Sequence, residues 1–222
     1  MSGESLTLSQ HGKTLVDDWS ADKQTFNVPW GKLMMWIFLV SDTFIFSCFL
    51  VGYMNVRRTT TEPWPYPSEV FALELFGQNV PLILIAIMTF ILITSSGTMA
   101  LAVRYAHFKD KKKIFQLMCI TALFGASFVG MQMFEWSKLI AEGVRPWTNP
   151  FGAPQFGSVF FMVTGFHGLH VTCGVIYLLI VATKVLKGHY DNTNMEIVEI
   201  TGLYWHFVDL VWVFIFAFFY LW

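Results

Sequence analysis

Five long apolar segments follow one another along the chain, separated by short polar loops. Each is long enough to cross the roughly 30 Å hydrocarbon core of a bilayer as an α-helix. None alternates polar and apolar residues as a membrane strand does. The pattern predicts an all-α integral membrane bundle of five transmembrane helices. We place these helices at about 33–54, 80–103, 114–138, 157–183 and 200–222.

The beginning of the chain differs from the rest. Residues 1–29 are polar, carry charges of both signs and contain no apolar signal-peptide core. We expect 1–29 to be a polar cytoplasmic arm and 30–222 to be the membrane domain. The arm, the second loop and the fourth loop together contain ten Lys and Arg near the spans, against four in the other loops. The positive-inside rule then predicts a cytoplasmic N-terminus and an external C-terminus.

Composition narrows the class of protein further. Hydrophobic residues make up 55% of the chain and charged residues 13%, about half the usual share of about 25% in a soluble domain. The net charge is −1, and no basic tract suggests a nucleic-acid partner. The three cysteines stand singly in apolar stretches, so we expect small buried side chains without metal spacing (Cys48, Cys119 and Cys173).

Small residues at spacing four suggest how the helices pack, because small side chains let helix backbones approach closely. Such stripes occur in the second, third and fourth segments. Their members are Thr94, Thr98 and Ala102, then Ala122, Ala126 and Gly130, then Thr164, Gly168 and Thr172. The fifth segment is crowded with Trp and Phe, and we expect it to present an aromatic surface to lipid or a partner subunit.

Six ionisable side chains lie inside the predicted spans, where a charged group costs about 2.5–3.5 kcal/mol on insertion scales. They are Asp42, Glu135, His167, His170, His206 and Asp209. Each therefore needs a partner, a changed protonation state or a function. Spacing of three places Gln132 with Glu135, His167 with His170, and His206 with Asp209 on shared helix faces.

Several chemical interpretations of these six residues are open. The histidines could bind a metal, but nothing else completes a coordination set, so we favour hydrogen bonds to neighbouring helices or lipid headgroups. A proton relay is possible in principle, but the sequence does not align the pairs. Transport is disfavoured because the chain shows no internal repeat. The sequence contains no nucleophile–base set and no phosphate loop, so it does not predict a catalytic site.

Specific sequence strings carry a family resemblance. Residues 164–171 read TGFHGLHV, 204–212 read YWHFVDLVW, and 132–136 read QMFEW. Together with the Ser-Ser pair at 95–96, they resemble subunit III of haem-copper respiratory oxidases. The resemblance covers nearly all of residues 30–222, in order.

This resemblance implies a redox-silent core subunit of a terminal oxidase that reduces oxygen to water and pumps protons. The subunit would support the catalytic subunit through lipid binding, oxygen access and maintenance of proton uptake. Haems and copper are expected in partner subunits, with no catalytic, cofactor or metal site on this chain. The implied partners are subunits I and II, a small subunit IV, phospholipids and a respiratory supercomplex, in a bacterial plasma membrane.

The chain also departs from the family pattern. Longer members have seven helices, and the first two are missing here. Asp42 stands where many cytochrome c oxidase members carry Glu, and the quinol-oxidase branch can carry Asp. We take cytochrome c as the expected electron donor and a quinol oxidase subunit III as the alternative. Rivals outside these are an independent transporter and a purely structural assembly subunit.

Overall fold

The computed structural model describes residues 29–75, 78–190 and 195–221. Within them, five helices are long and apolar enough to cross a membrane, which confirms the predicted bundle. The first to fifth spans are α1 (Trp30–Thr59), α3 (Ile83–His107), α4 (Lys111–Ala141), α5 (Gln155–Leu186) and α6 (Glu196–Phe216). A π-helical turn, Ala217–Leu221, continues the fifth span. The predicted arm lies outside the described residues, apart from Pro29.

The loop after the first span has structure that we did not predict. It contains the short helix α2 (Pro67–Val70) and an antiparallel hairpin of β1 (Ala72–Leu75) with β2 (Gln78–Pro81). The second span consequently begins at Ile83 rather than near residue 80. Pro81 ends the strand, since proline has no N–H to continue a ladder.

The helices otherwise extend beyond the predicted apolar limits into charged sequence. The third span begins at Lys111 because Asp110 caps it, its Oδ1 accepting a hydrogen bond from the Lys113 amide at 3.3 Å. Long basic side chains at helix ends reach the interface while their stems stay against apolar surface. Charge therefore ends the apolar segment without ending the helix.

The spans are not equally enclosed. The second span packs on the third and the third on the fourth, while the fifth lies against the second, the fourth and the first. The first span has the smallest buried share of the five and contacts mainly the fourth and fifth.

We expected the fifth span to present its aromatic residues to lipid or a partner subunit. Two of them instead lie in the core of the bundle. Trp205 is 1% exposed and fills the space beside Gly125 and Gly174, with its Nε1 donating to Ser95 Oγ at 3.0 Å. Trp212 is also buried, and its Nε1 donates to Thr89 Oγ1 at 3.0 Å. These indoles join the fifth span to the second, because each buried N–H must find an acceptor.

The small-residue stripes are partly correct. Thr98 Oγ1 lies 2.7 Å from Thr121 Oγ1, which joins the second and third spans, and Ala102, Ala122 and Thr164 are buried. The remaining members of the stripes on the third and fourth spans turn away from the packed face. A spacing of four advances about 40° per step around a 3.6-residue helix, so the end of a three-residue stripe leaves the contact.

Several small residues expected inside therefore lie on the surface of this chain. Ala126, Gly130 and Thr172 are exposed, as are the thiols Cys48 and Cys173, so the expectation of buried cysteines is wrong for those two. The membrane interior is as apolar as a protein core, so hydrophobicity does not tell a core position from a lipid-facing one.

The contact between Gly125 and Trp205 predicts a strong effect of a single methyl group. A Cβ built at Gly125 would overlap the buried Trp205 ring and crowd Val175. We expect Gly125→Ala to destabilise the bundle by about 1–3 kcal/mol through overpacking. Gly130→Ala on the same helix is the matched control, since its new Cβ would have no atom of another described helix within 4 Å. Thermal unfolding of the purified complex measures both, and equal stabilities would contradict the packing explanation.

Candidate functional site

The six intramembrane residues occupy separate places in the bundle. Asp42, Glu135, His167 and Asp209 are buried, and His170 and His206 are half-buried. They form three polar clusters and one isolated histidine.

The first cluster joins the first and fourth spans. His170 Nε2 lies 3.1 Å from Asp42 Oδ2, and His170 Nδ1 lies 2.8 Å from the Phe166 carbonyl oxygen. The Phe46 ring packs against the imidazole edge to face, with centroids 5.4 Å apart. The sequence identified both ionisable residues, but not that they meet.

Hydrogen-bond chemistry fixes how many protons this pair shares. A carbonyl oxygen only accepts, so Nδ1 must carry the hydrogen that bonds Phe166. With one proton between Nε2 and Oδ2, the pair is either a charged imidazole facing a carboxylate or a neutral imidazole facing a neutral carboxyl. Both arrangements have zero net charge, which explains how the membrane tolerates Asp42.

Two further polar contacts hold the first span. Near its start, Lys32 forms an ion pair with Glu199 of the fifth span, whose Oε1 lies 3.7 Å from His107 Nε2. Near its end, Tyr53 Oη donates to the Phe218 carbonyl oxygen at 2.9 Å. Together with Asp42, these contacts fasten the span at three levels along its length.

The second cluster lies between the second and fifth spans. Ser96 Oγ is 2.6 Å from His206 Nδ1 and is also a hydrogen-bond partner of Asp209. The helix face that His206 and Asp209 share does not bring their side chains into a direct hydrogen bond among the described contacts. Among the described contacts, the serine connects the two residues instead.

The third cluster lies in the half of the third span that leads to Ala141. Gln132 Nε2 donates to Glu135 Oε2 at 2.8 Å, so the shared helix face inferred from their spacing brings these side chains into contact. Tyr220 Oη donates to the same Glu135 oxygen at 3.2 Å.

His167 belongs to none of these clusters. Its ring stacks on Trp212 with centroids 5.4 Å apart and meets Phe128 edge to face at 5.8 Å. Neither ring nitrogen has a hydrogen-bond partner among the described residues. Although His167 and His170 are three residues apart, one faces the aromatic core and the other faces Asp42.

This arrangement bears on the chemical alternatives. Within the described ranges, no group of three or more His, Cys, Asp or Glu side chains is placed to hold a metal ion. The polar residues instead pair across helix boundaries, between the first and fourth spans and between the second and fifth. The contacts that they make are polar contacts between helices.

A groove follows the seam between the first and fifth spans. Its main part, about 650 Å³, is almost wholly apolar and is lined by residues including Leu39, Thr43, Leu210 and Val211. It shares Trp36, Leu203 and His206 with a second cavity of about 470 Å³, which also reaches Lys32, His107 and Glu199. A third cavity adds Lys109 and Glu196 at the same end. The seam is therefore charged at one end and apolar along most of its length.

Sequence reasoning missed the hydroxyl partners and Lys32. Thr89, Ser95, Thr121, Tyr53 and Tyr220 each make a contact between elements, but hydroxyl residues are common in membrane helices and usually bond their own backbone. The Ser-Ser pair at 95–96 was noted only as part of the family resemblance. The sequence does not indicate which distant residue each of them meets.

The fold and its clusters define a multi-pass membrane protein whose buried polar groups join helices. A family model described as cytochrome c oxidase subunit III matches residues 13–222. Two curated proteins, from Staphylococcus aureus (strain USA300) and Staphylococcus epidermidis, are each named probable quinol oxidase subunit 3. Each is 31% identical over 196 residues, covering 88% of this chain and 90% of the relative.

The chain belongs to the cytochrome c oxidase subunit III family. It is subunit III of a haem-copper oxidase, a redox-silent, non-catalytic subunit of an oxidoreductase complex. Membership implies assembly with other oxidase subunits in a membrane.

The geometry of the first cluster predicts different effects for two substitutions of Asp42. Asn retains a neutral donor for His170 Nε2, whereas Leu leaves that nitrogen without its partner. We expect Asp42→Leu to weaken the packing of the first span on the bundle by about 1 kcal/mol, the scale of intramembrane hydrogen bonds. Asp42→Asn should stay near the wild-type stability. Thermal stability and retention of the subunit in mild detergent measure this. A larger loss in the Asn variant would refute the shared-proton pair.

Proposed function

We propose that this chain supports the catalytic subunit of a bacterial terminal oxidase by holding phospholipid at its surface. The observation that carries this proposal is the groove between the first and fifth spans. We assign the six intramembrane residues a structural role in holding the helices together, with His206 also lining the groove. We also retain the division into an arm, 1–29, and a membrane domain, 30–222.

The charge distribution along the groove suits a phospholipid. Its charged end contains cationic and acidic side chains, matching the phosphate and ammonium of a zwitterionic headgroup (Lys32, Lys109, Glu196 and Glu199). The long remainder is lined by aliphatic and aromatic side chains that an acyl chain can cover. A soluble metabolite would leave that apolar surface exposed.

Bound lipid would matter because the first span is weakly enclosed. A chain lying along the seam adds apolar contact to a helix that otherwise depends on a few polar contacts. A stable lipid-filled surface would also offer oxygen, an apolar molecule, a path toward the catalytic subunit. We propose that loss of this seat shortens the life of the enzyme during turnover by weakening proton uptake.

Family membership supports a proposal for the wider assembly. We propose subunits I and II as the bearers of haem and copper, a small subunit IV as a neighbour, and a supercomplex as a further level of organisation. The complex would lie in a bacterial plasma membrane and couple oxygen reduction to proton pumping. The N-terminus of this chain would face the cytoplasm and its C-terminus the outside.

The electron donor has two candidates. The matching family model is described as cytochrome c oxidase, in line with our expectation of cytochrome c. The two staphylococcal relatives are named quinol oxidases, which supports quinol as the second candidate. Neither donor needs a site on this chain.

Purification of the native complex in mild detergent tests the assignment. We expect the chain to co-purify with a haem-containing catalytic subunit, identified by mass analysis and a haem absorption spectrum. Oxygen consumption with reduced cytochrome c and with quinol, measured side by side, identifies the donor. Recovery of a haem-free homo-oligomer would instead favour the transporter hypothesis.

A bulky substitution in the groove tests lipid binding. Thr43 lines the groove, whereas the adjacent Phe44 is 69% exposed and lies outside it. We expect Thr43→Trp to lower the phospholipid content of the purified complex and to hasten its inactivation during turnover, with haem spectra unchanged. Phe44→Trp is the control and should keep the wild-type lipid content. Equal lipid content in both variants would exclude this groove as the lipid site.

A further inference from the structure

The cluster around Glu135 contains two buried oxygen atoms that lack a hydrogen-bond partner among the described residues if Glu135 is a carboxylate. Gln132, Glu135 and Tyr220 are each at most 4% exposed. Glu135 Oε2 accepts hydrogen bonds from both neighbours. Glu135 Oε1 and Gln132 Oε1 have no hydrogen-bond partner among the described residues.

The chemistry of these two atoms depends on one proton. If Glu135 is ionised, both atoms only accept, and neither can satisfy the other. If Glu135 carries a proton on Oε1, that atom becomes a donor and the Gln132 carbonyl oxygen is an acceptor on the side chain already bonded to it. A carboxylic acid and a primary amide then complement each other through two parallel hydrogen bonds.

We propose that Glu135 is a neutral carboxylic acid paired with the Gln132 amide in a cyclic arrangement of two hydrogen bonds. The amide N–H donates to Glu135 Oε2, and the acid O–H on Oε1 donates to Gln132 Oε1. Tyr220 donates to the second lone pair of Oε2. Every polar atom of the Gln132 and Glu135 head groups that was buried without a partner gains one.

The surroundings favour the neutral acid. An ionised carboxylate within a membrane span is costly, and removal of an unpartnered buried acceptor recovers a further desolvation penalty. Lys138 lies one turn along the same helix, but its ammonium is 3.4 Å from Glu142 Oε1. The aromatic rings of Trp212 and Phe216 pack near Tyr220, adding apolar surface beside the cluster.

The pair would make Glu135 a positioning residue for the end of the chain. Tyr220 belongs to the π-helical turn Ala217–Leu221, and the carbonyl of Phe218 in that turn accepts from Tyr53. A neutral acid presents a fixed carbonyl oxygen to the Tyr220 hydroxyl. The turn is thereby tied to the third span on one side and to the first span on the other.

Infrared difference spectroscopy of the purified oxidase complex tests the protonation state directly. We expect the wild-type minus Glu135→Gln spectrum to contain the carbonyl stretching band of a protonated carboxylic acid. Gln is nearly isosteric and can keep both parallel hydrogen bonds as an amide pair, so the variant should assemble. Glu142→Gln, at the exposed end of the same helix, is the control and should remove carboxylate bands instead.

A second variant tests the hydrogen bond from Tyr220, which a buried acid outside this cluster would lack. Tyr220→Phe removes one donor to the Glu135 carbonyl, so the acid band should remain and move to higher wavenumber. If Glu135→Gln fails to assemble, the Tyr220→Phe minus wild-type spectrum is recorded with and without ¹³C-labelled glutamate. The band that responds both to the Tyr220 substitution and to the label is then the glutamic acid bonded by Tyr220. Loss of carboxylate bands without an acid band in Glu135→Gln, or no shift in Tyr220→Phe, would overturn the proposal.

Discussion

The indole of Trp205 is the contact on which the rest of the bundle depends. It fills the space left by Gly125 on the third span and Gly174 on the fourth, and it donates a hydrogen bond to Ser95 on the second. One side chain of the fifth span therefore sets the separation of four helices. Lipid is as apolar as the core, so hydrophobic burial cannot drive these helices together, and close packing with interhelical hydrogen bonds must do so. The neighbouring Trp212, Thr98 and Thr121 repeat the same combination at other levels of the bundle.

The polar residues follow from the same constraint. A membrane interior supplies no water, so a buried donor needs an acceptor within the protein. At two places the structure meets this need by pairing groups from different spans, Asp42 with His170 and Ser96 with His206. Such pairs fix the position of one helix along its neighbour, which apolar packing alone would not specify. They suit a subunit that supports a reaction centre held elsewhere.

The sequence was a good guide wherever the signal was local. Apolar length located all five spans, and spacing of three placed Gln132 and Glu135 together. It could not show that Asp42 meets His170, because helix order in space depends on packing between distant segments. It also misplaced Trp205 and Trp212 of the fifth span, since tryptophan suits lipid and core equally. The hairpin after the first span was missed because its strands are only four residues each, far shorter than an apolar segment that spans a membrane.

The way the first span is held has a consequence for biogenesis. Its contacts at three levels are with His170, Glu199 and Phe218, all in the last two spans. This helix is therefore made first but cannot complete its seat until the end of the chain has entered the membrane. Until then, Asp42 must be accommodated by water at the translocation site, by lipid headgroups or by another protein. The first span is thus synthesised before the fourth and fifth spans but completes its packing only after them. Asp42 is without its His170 partner during that interval.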